Sequence, residues 1–124
     1  MSTKALVLIL ASVCLSVLAQ IMLKVGMGTD TARQAMSNPS LWRGYVTVVF
    51  APAVLVGLAA YGVSALVWMR VLADVDVSKA YPFVALGMVL TMAAGALFLG
   101  EVIPPIRMIG AGFVVVGIIL VGMS

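Results

Sequence analysis

The sequence predicts an all-α integral membrane protein with four membrane-spanning helices that works as a dimer. Composition comes first: 65% of the 124 residues are hydrophobic and 9% are charged, against roughly 45–50% and about 25% in soluble domains. Mean hydropathy is +1.28. The apolar residues also gather into four runs, each close to the ~20 residues a helix needs to cross ~30 Å of hydrocarbon. Charges fall at or near the ends of these runs and never in their middles.

The first run, Ala5 to Leu23, lies between Lys4 and Lys24 and predicts a helix over about 4–24. It exceeds the ~7–15 residues of a signal-peptide core and three more spans follow, so it is read as a retained span. The second run, Tyr45 to Met69 between Arg43 and Arg70, predicts a helix over about 44–70, with a kink or a freed carbonyl at Pro52. The third, Ala80 to Gly100 between Lys79 and Glu101, predicts 80–100. The fourth starts near Ile106 or Met108 and ends at Gly122, predicting 106–122.

The connection over 25–43 is the long one. Its Asn38-Pro39-Ser40 is a turn or helix-start signal, consistent with a short interfacial helix inside the loop. VLADVDVS, with Asp74 and Asp76, reads as a tight loop, and Pro104-Pro105 in EVIPPIR forbids helix continuation.

These elements exclude several function classes. There is no room for a phosphate-cradling glycine loop or a nucleophile with its base, and histidine is absent. The expectation is therefore a membrane carrier or accessory subunit that is not an enzyme and has no cofactor and no metal. The single cysteine, Cys14, forms no intrachain disulfide. A net charge of +3, scattered along the chain, is no nucleic-acid surface. The expected surroundings are the lipid bilayer.

Orientation stays open. Lys4, Arg70 and Lys79 fall on one side, and Lys24, Arg33, Arg43 and Arg107 on the other. Such near-balance fixes no topology, although a dual-topology antiparallel dimer requires it. Four short helices are too few to enclose a wide pathway, so a homodimer or a heterodimer with a related subunit is expected.

Small residues mark where helices touch. Gly87, Thr91 and Gly95 recur every four residues, and Gly110 and Gly117 share a face with Val121. Packing within the bundle and a dimer interface are both open for them. In the second span Gly57, Tyr61, Ser64 and Trp68 line one face, read either as a cavity wall or, for the aromatics, as interfacial anchors.

Ser12, Ser16, Gln20 and Lys24 recur at intervals of four inside the first span. On a helix they form a polar ladder that drifts around a greasy cylinder and ends in a cation. Two readings stand for Lys24: an anchor that snorkels to the interface, or a ligand for an anion.

SVLAQIMLK, VDVSKAYPF, FLGE and RMIGAGFVVVGIIL, in that order and spacing, resemble the four-helix branch of the drug/metabolite transporter superfamily, the EamA-like and small multidrug resistance-like proteins. The resemblance covers nearly the whole chain, and within the superfamily it is closest to the paired subunits that flip aminoarabinose-phosphoundecaprenol across the bacterial inner membrane. Their ladder matches Ser16, Gln20 and Lys24, their Ala-Tyr-Pro matches Ala80-Tyr81-Pro82, and their glutamate matches Glu101. The resemblance implies flipping of a polyprenyl-phosphate-linked sugar in a bacterial inner membrane.

The small multidrug resistance exporters resemble the chain at Lys24, Tyr61, Tyr81 and the fourth-helix glycines, but they bind cations and protons through a first-helix glutamate. The matching position here is Ser16. All four acids, Asp30, Asp74, Asp76 and Glu101, fall in loops or at a helix end, so the sequence disfavours proton-coupled cation export. The expected substrate site is Lys24 and Gln20 on the phosphate-sugar head, extended toward the bilayer centre by Ser16 and Ser12, with Tyr61, Trp68, Tyr81 and Glu101 as further candidates. Glu101 has three readings: an ion pair with Lys24, an ion pair with Arg107, or recognition of an amine on the sugar. A small-solute or multidrug exporter, and an accessory subunit of a membrane glycosyltransferase, are the alternatives.

Overall fold

The computed structural model describes residues 2–124. Seven helices follow in order: α1 (Thr3–Met27), α2 (Asp30–Met36), α3 (Leu41–Val49), α4 (Pro52–Asp74), α5 (Val77–Ala80), α6 (Val84–Phe98) and α7 (Pro105–Met123). A 3-10 turn, Tyr81–Phe83, joins α5 to α6. Four of the resulting segments are long and apolar enough to cross a membrane: Thr3–Met27, Pro52–Asp74, Val77–Phe98 and Pro105–Met123. The chain is a multi-pass membrane protein.

The second span begins later than the sequence suggested. The expected helix over 44–70 is two helices, and Pro52 starts α4 where a kink inside one helix was expected. Proline has no N–H to donate and pushes the preceding residue out of helical backbone. Ala51 accordingly is extended, at φ −64 and ψ 135, and the chain turns there. The apolar stretch before it, α3, lies outside the span.

The loop expected over 25–43 is likewise mostly helical. Thr29 caps α2 by accepting from the Ala32 N–H at 3.2 Å, and Ala32, Val48 and Val54 form a small core with Met27, Ala35 and Met36 around them. Gly44 permits the α2–α3 hairpin to close, because a Cβ there would strike the Ala35 carbonyl oxygen. Trp42, Tyr45 and Phe50 are exposed on this hairpin, where amphipathic rings suit the membrane–water boundary.

Within the bundle α1 packs chiefly on α4, secondarily on α6, and α7 lies on α6. Two glycines bring α1 and α4 together. A Cβ on Gly26 would stand 2.6 Å from Val54 Cγ2, and one on Gly57 would stand 2.9 Å from Leu23 Cγ and 3.1 Å from the Ala19 carbonyl oxygen. Small residues of this kind take the place of hydrophobic driving force between helices in lipid. Gly57 is therefore a packing residue and does not line the cavity face it was grouped with. On the other side of α1, Gly87 of α6 faces Val13, whose Cγ1 would lie 3.3 Å from an added Cβ. The main core, Ile9, Val13, Val71, Ala80, Phe83 and Ile118, sits where α1, α4, the 3-10 turn and α7 converge.

Candidate functional site

The polar ladder of α1 divides as it descends. Ser12 is buried and exchanges hydrogen bonds with Ser64 of α4: Ser12 Oγ donates to the Ser64 carbonyl at 3.0 Å, and Ser64 Oγ donates to the Ser12 carbonyl at 2.9 Å. Below it, Ser16 donates to its own helix at the Val13 carbonyl, 2.8 Å away, a local bond usual for serine in a span. Gln20 makes no hydrogen bond among the described residues and is exposed. Lys24 ends the ladder, also exposed, on the last turn of α1.

Three cavities follow this division. The first, about 200 Å³, lies between α1 and α4 and is lined by Ser12, Ser16, Tyr61, Ser64, Trp68 and Val84 among others. The second, about 350 Å³, is the crevice between α1 and α6, lined by Ser16, Gln20, Val84, Gly87, Met88, Thr91 and Met92. The third, about 170 Å³, is lined by Thr91, Met92, Glu101, Ile103 and Arg107. Ser16 and Val84 belong to both of the first two, and Thr91 and Met92 to both of the last two. The cavities are therefore neighbours, set in a row along α6 from the middle of the bundle toward its edge.

The walls of these cavities are apolar with a few polar groups. Thr91 Oγ1 donates to the Gly87 carbonyl at 2.7 Å, so its hydroxyl oxygen, like that of Ser16, keeps lone pairs for an incoming donor. Gln20 offers two N–H donors and an acceptor. None of the four acids lies mid-span: Asp30 opens α2, Asp74 ends α4, Asp76 caps α5 and Glu101 follows α6. No metal-ligating cluster occurs among the described residues.

At the edge, the backbone sets the position of Glu101. Gly100 takes φ +67, a left-handed conformation that glycine adopts without steric cost. The chain thus curls back, and the Glu101 N–H reaches the Gly95 carbonyl at 3.1 Å. Its side chain returns to the same residue, so that a Cβ on Gly95 would lie 2.5 Å from Glu101 Oε1. Gly95 is accordingly covered by a carboxylate and not by another helix, whereas Gly110 and Gly117 face open space.

Glu101 pairs with neither expected partner. The one ion pair among the described residues joins Arg70 to Asp74, at 3.6 Å; Lys24 and Arg107 both stand apart from Glu101. Lys24 lines none of the three cavities, and Tyr81 sits exposed in the 3-10 turn at the opposite edge, also outside them. Tyr61 and Trp68 do line the first cavity. Spacing points Thr91 to helix packing, and the sequence offers Arg107 as an ion-pair partner and a flanking charge; both line cavities. The signal for Arg107 was its place three residues after Pro104, on the first turn of a helix that must start beside Glu101.

Comparison with known proteins adds lineage to this geometry. Residues 5–123 match the EamA-like transporter family. A protein of Aeromonas salmonicida named "Probable 4-amino-4-deoxy-L-arabinose-phosphoundecaprenol flippase subunit ArnE" is 30% identical over 115 residues, spanning 93% of this chain and 95% of its own. Proteins of the same name from Aeromonas hydrophila and Pseudomonas syringae pv. syringae are each 32% identical, over 57% and 65% of this chain and 62% and 77% of theirs. No solved structure matches.

Proposed function

The chain belongs to the EamA-like transporter family, and from that premise we propose that it moves a polyprenyl-phosphate-linked sugar between leaflets of a bacterial inner membrane, as one subunit of a dimer. The observation that carries this reading is the crevice between α1 and α6, with Ser16, Gln20 and Thr91 set in otherwise apolar walls. A lipid-linked sugar has a polar head that needs hydrogen-bond partners inside the hydrocarbon and a tail that needs none. A lateral crevice meets both needs: the head slides past Gln20, Ser16 and Thr91 while the tail stays in the bilayer. Lys24, at the foot of the ladder, draws the phosphate toward the crevice mouth as an exposed point charge. The relatives named as flippase subunits support both the substrate class and the need for a second subunit, and their transporter names accord with a chain that is not an enzyme.

The same arrangement disfavours cation export. A carrier that exchanges protons for cations needs an ionisable acid along its route, and the acids of this chain stay at helix ends.

The test is reconstitution into liposomes, with the related subunit where one is encoded beside it. A polyprenyl-phosphate sugar labelled on its head is followed by chemical quenching from outside. Faster leaflet exchange than in protein-free liposomes is the expected result. Failure to move the lipid, together with pH-driven accumulation of a quaternary ammonium dye, would establish the exporter reading in its place. Movement only in the presence of a glycosyltransferase would establish the accessory reading.

A further inference from the structure

Glu101 and Arg107 line one small cavity, carry opposite charges, and stay more than 4.0 Å apart. Two opposite charges that line one cavity without pairing leave room for a molecule that carries both complements. The cavity neighbours the crevice that holds Gln20, with Thr91 and Met92 lining both. The carboxylate is also positioned and not merely present: Gly100 turns the backbone, and Gly95, having no Cβ, provides the surface on which the side chain lies.

We infer that Arg107 and Glu101 are the head-group readers of this transporter: Arg107 binds the phosphate and Glu101 binds an ammonium group on the attached sugar. This rests on the lipid-linked-sugar reading and deepens it, assigning the anion contact to Arg107 within the cavity and leaving Lys24 as an attractor outside it. The guanidinium suits a phosphate through its forked donors. The carboxylate tells an ammonium from an uncharged hydroxyl by the charge-assisted hydrogen bond that only the ammonium makes with it. Gly95 is a positioning residue that acts through Glu101.

The experiment measures binding to the purified full-length protein in nanodiscs. Three probes are used: a polyprenyl-phosphate aminopentose, the same lipid with hydroxyl in place of the amine, and inorganic phosphate. Wild type is expected to bind the amino lipid about tenfold tighter than the hydroxyl lipid. Arg107→Gln should weaken both lipids by about tenfold or more, with Arg107→Lys recovering part of the loss. Glu101→Gln should leave the hydroxyl lipid unchanged and erase the preference, and Gly95→Ala, which drives the carboxylate from its cradle, should do the same. Lys24→Gln should weaken both lipids only about two- to threefold, an effect that disappears at high salt. All of these side chains except the Gly95 position are exposed, so the variants are expected to fold, and thermal unfolding checks it.

Unaltered binding in Arg107→Gln, a preference that survives Glu101→Gln, or a larger loss in Lys24→Gln than in Arg107→Gln would each overturn the inference while leaving the transport reading intact. Inorganic phosphate binding as tightly as the lipids would also overturn it, by making the ligand a free anion. Absence of saturable binding of either lipid by wild type would remove the transport reading together with the inference.

Discussion

Ser12 and Ser64 each donate a hydroxyl to the other's backbone carbonyl, so α1 and α4 are tied by two hydrogen bonds at one level, with the hydroxyl oxygens themselves 3.2 Å apart. Both residues are buried, and Ser12 lies near the middle of α1, where lipid offers no competing partner. The pair thus fixes the rotation of one helix against the other and keeps the first cavity in register with the crevice beside it.

Removing either hydroxyl leaves a carbonyl that still has its helical partner, so the loss is modest. Ser12→Ala and Ser64→Ala are each expected to destabilise by about 0.6 kcal/mol and by no more than about 1.7 kcal/mol, the average and the upper end for hydrogen bonds between membrane helices. The double variant should cost less than the sum of the two, because the two hydroxyls also contact each other at 3.2 Å and either removal loses that contact. Unfolding in mixed micelles of increasing denaturing-detergent content measures this. Strictly additive losses would mean that the two hydroxyls act separately.

The glycine contacts between α1 and α4 predict a sharper contrast. Gly57→Val and Gly26→Val force side-chain atoms into Leu23, Ala19 and Val54 and should each destabilise by about 1–3 kcal/mol through overpacking. Gly62→Val, on the same helix as Gly57 but facing open space, should change stability little. The same unfolding assay separates the two sites, and equal effects at Gly57 and Gly62 would contradict the helix packing described.

Gln20 carries a functional prediction with little structural consequence. It is exposed, lines the crevice and makes no hydrogen bond among the described residues. Gln20→Leu should therefore preserve folding while slowing leaflet exchange of a polyprenyl-phosphate sugar by about tenfold, which corresponds to ~1.4 kcal/mol of head-group hydrogen bonding. Rates are compared in reconstituted liposomes at equal protein content. An undiminished rate would take Gln20 out of the substrate route.

Much of this arrangement was legible in the sequence, and the reasons it stopped being legible are local. Hydropathy and flanking charge located all four spans. They did not locate the start of the second, because Tyr45–Phe50 is as apolar as the span and only the Pro52 backbone separates them. The ladder was visible as a spacing of four, but each step of four turns the helix by about 40° beyond a full turn. Over the twelve residues from Ser12 to Lys24 the ladder rotates by about 120°, so Ser12 meets α4, Gln20 meets the crevice of α6, and Lys24 leaves both. The partner of each rung depends on where the neighbouring helices stand, which spacing alone does not say. Glu101 was marked as a candidate, but its cradle on Gly95 depends on the left-handed turn at Gly100, and glycine spacing suggested helix packing there instead.

Of the four spans, α7 is the least covered by the rest of the chain. A Cβ on Gly110 or Gly117 would meet nothing within 4 Å, and the neighbouring Ile106 and Phe113 are 76% and 75% exposed. Apolar side chains are at home in lipid, so their exposure alone asks for no partner. Glycine differs, since it contributes no side chain to lipid contact and weakens the helix by about 1 kcal/mol relative to alanine, a cost that close approach of another helix offsets. We therefore expect Gly110 and Gly117 to lie in the dimer contact proposed for this transporter. Gly110→Leu with Gly117→Leu should leave the fold of one chain intact while shifting the protein from dimer to monomer in detergent, and should slow lipid exchange in liposomes in parallel. Mass measurement of the protein–detergent complex reads the first effect and the exchange assay the second. A dimer that persists with both leucines present would place the contact on another face.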